Sequence, residues 1–238
     1  MNRVARATLT MFIGAVAVRL VTSGGFGWFL QQRMRLPLLI GGIVALLLGL
    51  VEVWAATREE RRDPDARTRT SAPRVGWLLI LPIVVLIAVA PTGLGAAAAD
   101  RVDAYVPFES ADPFGPLPAG DPPELRVFDF VDRALWDDAR SLEGVDIALE
   151  GLVVNDDEAP DGFMLTRFLV SCCAADGIPI QVRIRSVGAP LEDDTWVRVV
   201  VRWIPTEPDA ETPEVVEAEL IGLEIVDDPP NTPYESPY

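Results

Sequence analysis

Three long apolar runs, at 4–22, 38–54 and 75–92, constrain this chain more than any other feature. Each approaches the ~20 residues that a helix needs to cross the hydrocarbon core of a bilayer. They predict three N-terminal transmembrane α-helices and set residues 1–98 apart as a membrane region. Arg19 falls near the end of the first run, where its long side chain can reach the headgroups. An intramembrane charge with a function of its own is the rival reading. Pro82 kinks the third run, a break that membrane helices tolerate.

Charge separates the halves as sharply as hydropathy does. Residues 1–99 hold eleven arginines and five acids, a net of +6, whereas residues 100–238 hold nine arginines and thirty-one acids, a net of −22. The short-loop arginines set the direction of threading. Arg3 and Arg6, and Arg58, Arg61, Arg62, Arg67, Arg69 and Arg74 in the second loop, outnumber Arg33 and Arg35 in the first. The positive-inside rule then places the N-terminus in the cytoplasm, and three crossings deliver an acidic C-terminal domain to the extracytoplasmic side of the cell membrane. A domain of that charge repels phosphate backbones, which excludes nucleic acid as a partner. Ala96-Ala97-Ala98 resembles a small-residue cleavage site, the alternative to a retained third span.

The outer half begins with a spacer, 99–123, rich in Pro, Asp and Gly. Phe128, Val131, Leu135, Ala139 and Leu142 recur at helical spacing and predict an amphipathic helix over about 125–140. After Gly144 the period changes to two. Alternation predicts strands from Val145, at 163–172, from Ile180, at 196–204 and at 215–226, with a bulge at Ile221-Gly222 where the apolar parity of the last strand shifts. Five short strands and one helix over 124–228 predict a mainly β domain built as an OB-like barrel. An open five-stranded sheet with a helix on it is the competing architecture. The Pro-rich tail, 229–238, cannot continue a sheet ladder.

The chain has no histidine and no lysine, and its only two cysteines are adjacent, in Arg167-Phe168-Leu169-Val170-Ser171-Cys172-Cys173-Ala174-Ala175-Asp176. If they end a strand, Cys172 shares a face with Phe168 and Val170, and Cys173 shares one with Leu169 and Ser171. Four readings compete. A thiol can serve as a small core residue. The pair can close a vicinal disulfide, although neighbouring Cα atoms, ~3.8 Å apart, lie below the usual disulfide range. Cys172, Cys173 and Asp176 can ligate a divalent metal such as zinc, completed by Asp227, Asp228 or a partner's residue. A nucleophilic thiol is the fourth; without histidine, only Arg167 or turn amides are left to activate it. An acidic surface produces the pairs Asp137-Asp138, Asp156-Asp157-Glu158 and Asp193-Asp194 by chance, so they are only weak evidence of acid–base chemistry or of a calcium site. The absence of histidine also excludes a Ser-His-Asp set and a metalloprotease helix.

The motif Arg167, Ser171, Cys172, Cys173, Ala174, Ala175 and Asp176 resembles the YcgQ-type family of bacterial permease subunits, as do Glu150-Gly151-Leu152-Val153 and Thr195-Trp196-Val197-Arg198-Val199. The very acidic loops and the lack of lysine depart from it. The resemblance implies a small multi-span protein working beside a larger multi-spanning permease. Together these features predict a non-enzymatic accessory subunit of a transport system, presenting an acidic ligand- or metal-capturing domain outside. A surface thiol-redox module and a purely structural envelope protein are the alternatives.

Overall fold

A computed structural model describes residues 3–62, 94–107, 114–155, 162–185, 191–205, 215–227 and 234–235. The chain divides into two compact units, Met1–Thr92 and Gly93–Tyr238.

In the first unit, α1 (Arg3–Thr22) and α2 (Arg35–Arg62) are joined by two short 3-10 turns. Among the described residues one helix, Gln32–Ala55, is long and apolar enough to span a bilayer, where three were expected. The first run does form α1, a 20-residue helix, but it carries Arg6 near its start and Arg19 in its last turn, two charges at the margins of the apolar run. The third run, 75–92, lies outside the described residues. Small residues let the two helices approach closely: a Cβ on Gly14 would stand 2.7 Å from the Gly42 carbonyl oxygen, and one on Gly42 would stand 3.1 Å from Ala17 Cβ. This is how helices associate in lipid, where apolar burial gives no drive. Their outer faces expose Phe12, Ile13, Ile40, Val44, Leu47 and Val51.

The second unit is a closed five-stranded barrel, as the alternating periods predict. Its strands are β1 (Asp146–Val154), β2 (Gly162–Leu169), β3 (Ile178–Arg185), β4 (Trp196–Ile204) and β5 (Val216–Ile225). They pair in the order β1-β4-β5-β3-β2, and β2 returns to β1 to close the ring. All pairings are antiparallel except β3 with β5, an OB-like arrangement rather than the open sheet. Val200 faces Gly222 and Val201 faces Leu220, so Ile221 is the extra residue of the bulge read from the parity shift. Alternate residues point inward, and Ile147, Leu165, Ile180, Val182, Val199 and Val201 are fully buried.

The helix α4 (Val127–Trp136) follows a one-turn helix, α3 (Ala96–Ala99), and packs Val127, Phe130 and Val131 into this core. It is shorter than the expected 125–140 because side chains set both ends. Glu235 takes up the first amides, and Asp137 accepts from the amides of Ala139 and Ser141 to turn the chain away. Part of the segment expected as a spacer lies on the barrel: Tyr105 N donates to Pro179 O at 2.7 Å, and Trp136 Nε1 donates to Pro107 O at 2.8 Å.

The tail departs from expectation. Tyr234–Glu235 forms β6, pairing parallel with Phe168 and Leu169. The β1–β2 ladder spans only Met164–Thr166 on β2, so the end of β2 has a free edge. Two non-proline residues suffice to occupy it, and Val170 N donates to Glu235 O at 3.1 Å.

The start of the β2–β3 ladder depends on Gly162, where any Cβ would overlap the Ile184 carbonyl oxygen. Backbone cannot yield there as a flexible side chain would. Gly162→Ala is expected to cost about 1–3 kcal/mol of stability, the usual penalty of overpacking. A denaturant midpoint equal to the wild type's would refute the contact.

Candidate metal centre

The cysteines lie just beyond the end of β2, not within it. Strand pairing stops at Leu169, and the strand expected to reach Cys172 gives way to a loop closed by a 3-10 turn over Ala174–Asp176. The cause is Asp176. Its Oδ1 accepts from Ser171 N at 3.0 Å and its Oδ2 from Cys172 N at 2.7 Å, while its own amide donates to Cys173 O at 2.9 Å. Amides that would have bonded along a ladder bend around one carboxylate, the anion-binding geometry of successive N–H groups. Strand alternation therefore fails here, and the two thiols lie together instead of on opposite faces.

Their Sγ atoms are 3.6 Å apart, and each thiol is free. The two sulfurs and an Asp176 oxygen all lie within 4.8 Å of one another. Cys172 is exposed and Cys173 half-buried, so neither is a core residue. Asp227 is not part of the cluster, and Asp228 lies outside the described residues. Ala174 packs at the edge of a second apolar cluster containing Phe168 and Val170.

The electrostatics of the loop follow from these contacts. The Cys172 thiol is pushed up to about 11, first by its hydrogen bond to Asp176, then by that to Cys173. Burial raises the Asp176 carboxyl, but the Cys172 thiol and the amides of Cys172, Ser171 and Cys173 outweigh it and hold the group below its ordinary range. At neutral pH the loop thus holds a protonated Cys172 thiol donating to an ionised Asp176. A thiol in that state is a poor nucleophile and exchanges slowly.

Asp176→Asn removes the charge that keeps the proton on Cys172. A fall in the thiol pKa from about 11 toward 9 would raise the thiolate fraction at pH 8 roughly 100-fold. Lower intrinsic nucleophilicity offsets part of this, so alkylation of Cys172 in a Cys173→Ala background is expected to accelerate about 10-fold. An unchanged rate at pH 8 would show that Asp176 does not control the thiol.

Arg167 is placed away from that role. Its guanidinium stacks over the Trp196 ring at 5.1 Å, and its Nε lies 3.6 Å from Glu235 Oε1. Glu235 is the residue that sequence reading missed. It is buried, its Oε1 and Oε2 each accept at 2.9 Å from Val127 N and Phe128 N, and it sits beside the motif arginine. The acidic pairs are structural where described: Asp193 accepts from Asn155, and Asp194 accepts from Ala96 N at 2.6 Å.

A family model described as the DUF1980 C-terminal domain matches residues 131–214. That stretch runs from α4 through β4 and includes the cysteine loop, and the match fits the resemblance read from the sequence. No curated protein and no solved structure matches the chain.

Proposed function

We propose that the chain is a non-enzymatic accessory subunit of a bacterial membrane transport system, capturing a soft divalent cation of the zinc class at Cys172, Cys173 and Asp176. The clustering of three ligand atoms within 4.8 Å carries this reading. Two thiolates and a carboxylate are three of the four ligands zinc takes, leaving one position for water or a residue of a partner. Both Asp176 oxygens accept amide hydrogen bonds, and the carboxylate lone pair that now accepts from the Cys172 thiol is freed for a metal when that thiol loses its proton. In the proposed topology the runs at 4–22, 38–54 and 75–92 all cross the membrane, the barrel faces outward, and its −22 charge concentrates cations near the loop. The partner is a larger multi-spanning permease, as the family resemblance implies. The high Cys172 pKa disfavours the thiol-redox alternative.

Reduced full-length protein in detergent, titrated with Co2+, is expected to develop thiolate-to-cobalt charge-transfer absorption that Zn2+ abolishes stoichiometrically. Failure of the fully reduced protein to bind either ion would end the metal reading. Affinity purification from native membranes is expected to recover a polytopic partner with the chain.

A further inference from the structure

The Cys172–Cys173–Asp176 cluster has a fixed back and an open front. At the back, Ala174 packs at the edge of the apolar cluster of Phe168 and Val170, and a Cβ on Gly177 would overlap Leu94 Cδ1. The Asp176 carboxylate is tied to the amides of Ser171 and Cys172, and the Cys173 carbonyl oxygen is tied to the Asp176 amide. At the front, Ser171, Cys172, Ala175 and Ile178 are exposed. Three of these side chains are small, and none carries a charge. From Phe168 to Val182 the one charged residue is Asp176, in a half of the chain that holds thirty-one acids. Like charges facing each other suppress association, and the loop's own exposed side chains put none in the way of an anionic donor.

We infer that the cluster passes its cation directly to a partner site that bears a thiol, by ligand exchange at this open face. The inference rests on the metal reading of the cluster and extends it to the chemistry of the acceptor. Two thiolates and a carboxylate supply three of the four bonds zinc takes, so a donor from outside can bond the metal before any bond to the loop breaks. A cation held by two soft sulfurs moves most readily to a donor of the same softness. In the exchange, the incoming thiol gives its proton to solvent as its sulfur bonds the metal. The bond from the metal to Cys172 Sγ then breaks, and that sulfur takes up a proton. One metal–sulfur bond forms as one breaks and no electron changes hands, so the partner's thiol is the only co-reactant. Cys172 is the donor displaced first because its sulfur lies on the exposed side, whereas Cys173 is half-buried and Asp176 is anchored by amides.

Reduced, Zn2+-loaded full-length protein in detergent tests this, with dithiothreitol as a small uncharged acceptor and imidazole as an uncharged comparison without sulfur. Zn2+ remaining on the protein is followed by rapid desalting. Its rate of loss is expected to rise in proportion to dithiothreitol concentration and to exceed several-fold the rate in equal imidazole. Ala175→Trp, an exposed change at no proposed ligand, is expected to slow the loss to dithiothreitol several-fold at unchanged Zn2+ affinity. In the Co2+ form, 2-mercaptoethanol is expected to raise the charge-transfer absorption by about half, as thiolate bonds to the metal go from two to three. A loss rate independent of dithiothreitol concentration would mean that the cation leaves for water first, which overturns the exchange while the metal site survives. Equal rates in Ala175→Trp and wild type would overturn the open face as the point of exchange. A protein that takes up no Zn2+ would overturn the metal reading, and the exchange with it.

Discussion

Glu235→Ala is expected to destabilise the barrel unit by about 3–5 kcal/mol, the cost of removing one partner from a buried ion pair. The change leaves the buried Arg167 guanidinium without its carboxylate and removes the acceptors of two first-turn amides of α4, Val127 and Phe128. It also removes a negative charge from the positive end of that helix. Denaturant unfolding of the full chain in detergent, followed by tryptophan fluorescence, reads the effect through the barrel unit's Trp136, Trp196 and Trp203 together with the three tryptophans before it. A loss below about 1 kcal/mol, the size of an exposed pair, would show that Glu235 is not buried as described. The double variant Arg167→Met/Glu235→Leu is expected to recover part of the loss, because no charge is then stranded. The penalty also depends on pH. Burial holds the Glu235 carboxyl above its ordinary value despite Arg167 and the two amides. The folded protein therefore keeps that proton at pH values where the unfolded chain has lost it. The stability Glu235 contributes is full below the ordinary glutamate pKa of 4.5 and declines as pH rises from there through the raised folded value. The difference between wild type and Glu235→Ala should be greatest on the acid side of that window.

What the sequence makes legible here is what repeats. The alternation of Val197, Val199, Val201 and Trp203 gives β4 at its observed bounds, and a slip in parity gives the bulge at Ile221. Both signals are local and periodic, so one strand suffices to read them. The cysteine loop breaks the rule because Asp176 reaches back five residues to Ser171 and bends a backbone that still reads as strand. Side-chain capture of amides carries no period. Glu235 is harder still: it lies 108 residues from Val127, in a tail whose prolines signal an end to structure. Nothing around it distinguishes a carboxylate that will be buried from the thirty-five other acids of the chain. The packing of Leu94 against Gly177, the residue after Asp176, is invisible for the same reason, since a leucine after an apolar run reads as more of the run. The three clustered ligands are legible as candidates from adjacency alone, but their convergence depends on the turn that Asp176 makes.

Cys172→Ser and Cys173→Ser are each expected to weaken Zn2+ binding by at least about 100-fold. Loss of a mere outer-shell partner costs 10–100-fold, and these variants remove a ligand that contacts the metal. A serine hydroxyl keeps the size but stays protonated and hard, so it replaces the thiolate in shape only. The dependence on pH separates this from general damage to the loop. A metal takes the thiolate, so every thiol that is protonated before binding must release its proton, and each release makes affinity rise about 10-fold per pH unit. Cys172, held at about 11 by Asp176, is one such thiol throughout the neutral range. The slope of log affinity against pH should therefore fall by about one in Cys172→Ser, measured by competition with a chromophoric chelator between pH 6 and about 8. Asp176→Asn acts in two opposing ways, removing an oxygen ligand while easing the Cys172 proton off, so its loss at pH 8 should be smaller than that of either serine variant. Equal slopes in wild type and Cys172→Ser would mean that the exposed sulfur never touches the ion, and the centre would have to be rebuilt around Cys173 and Asp176 alone.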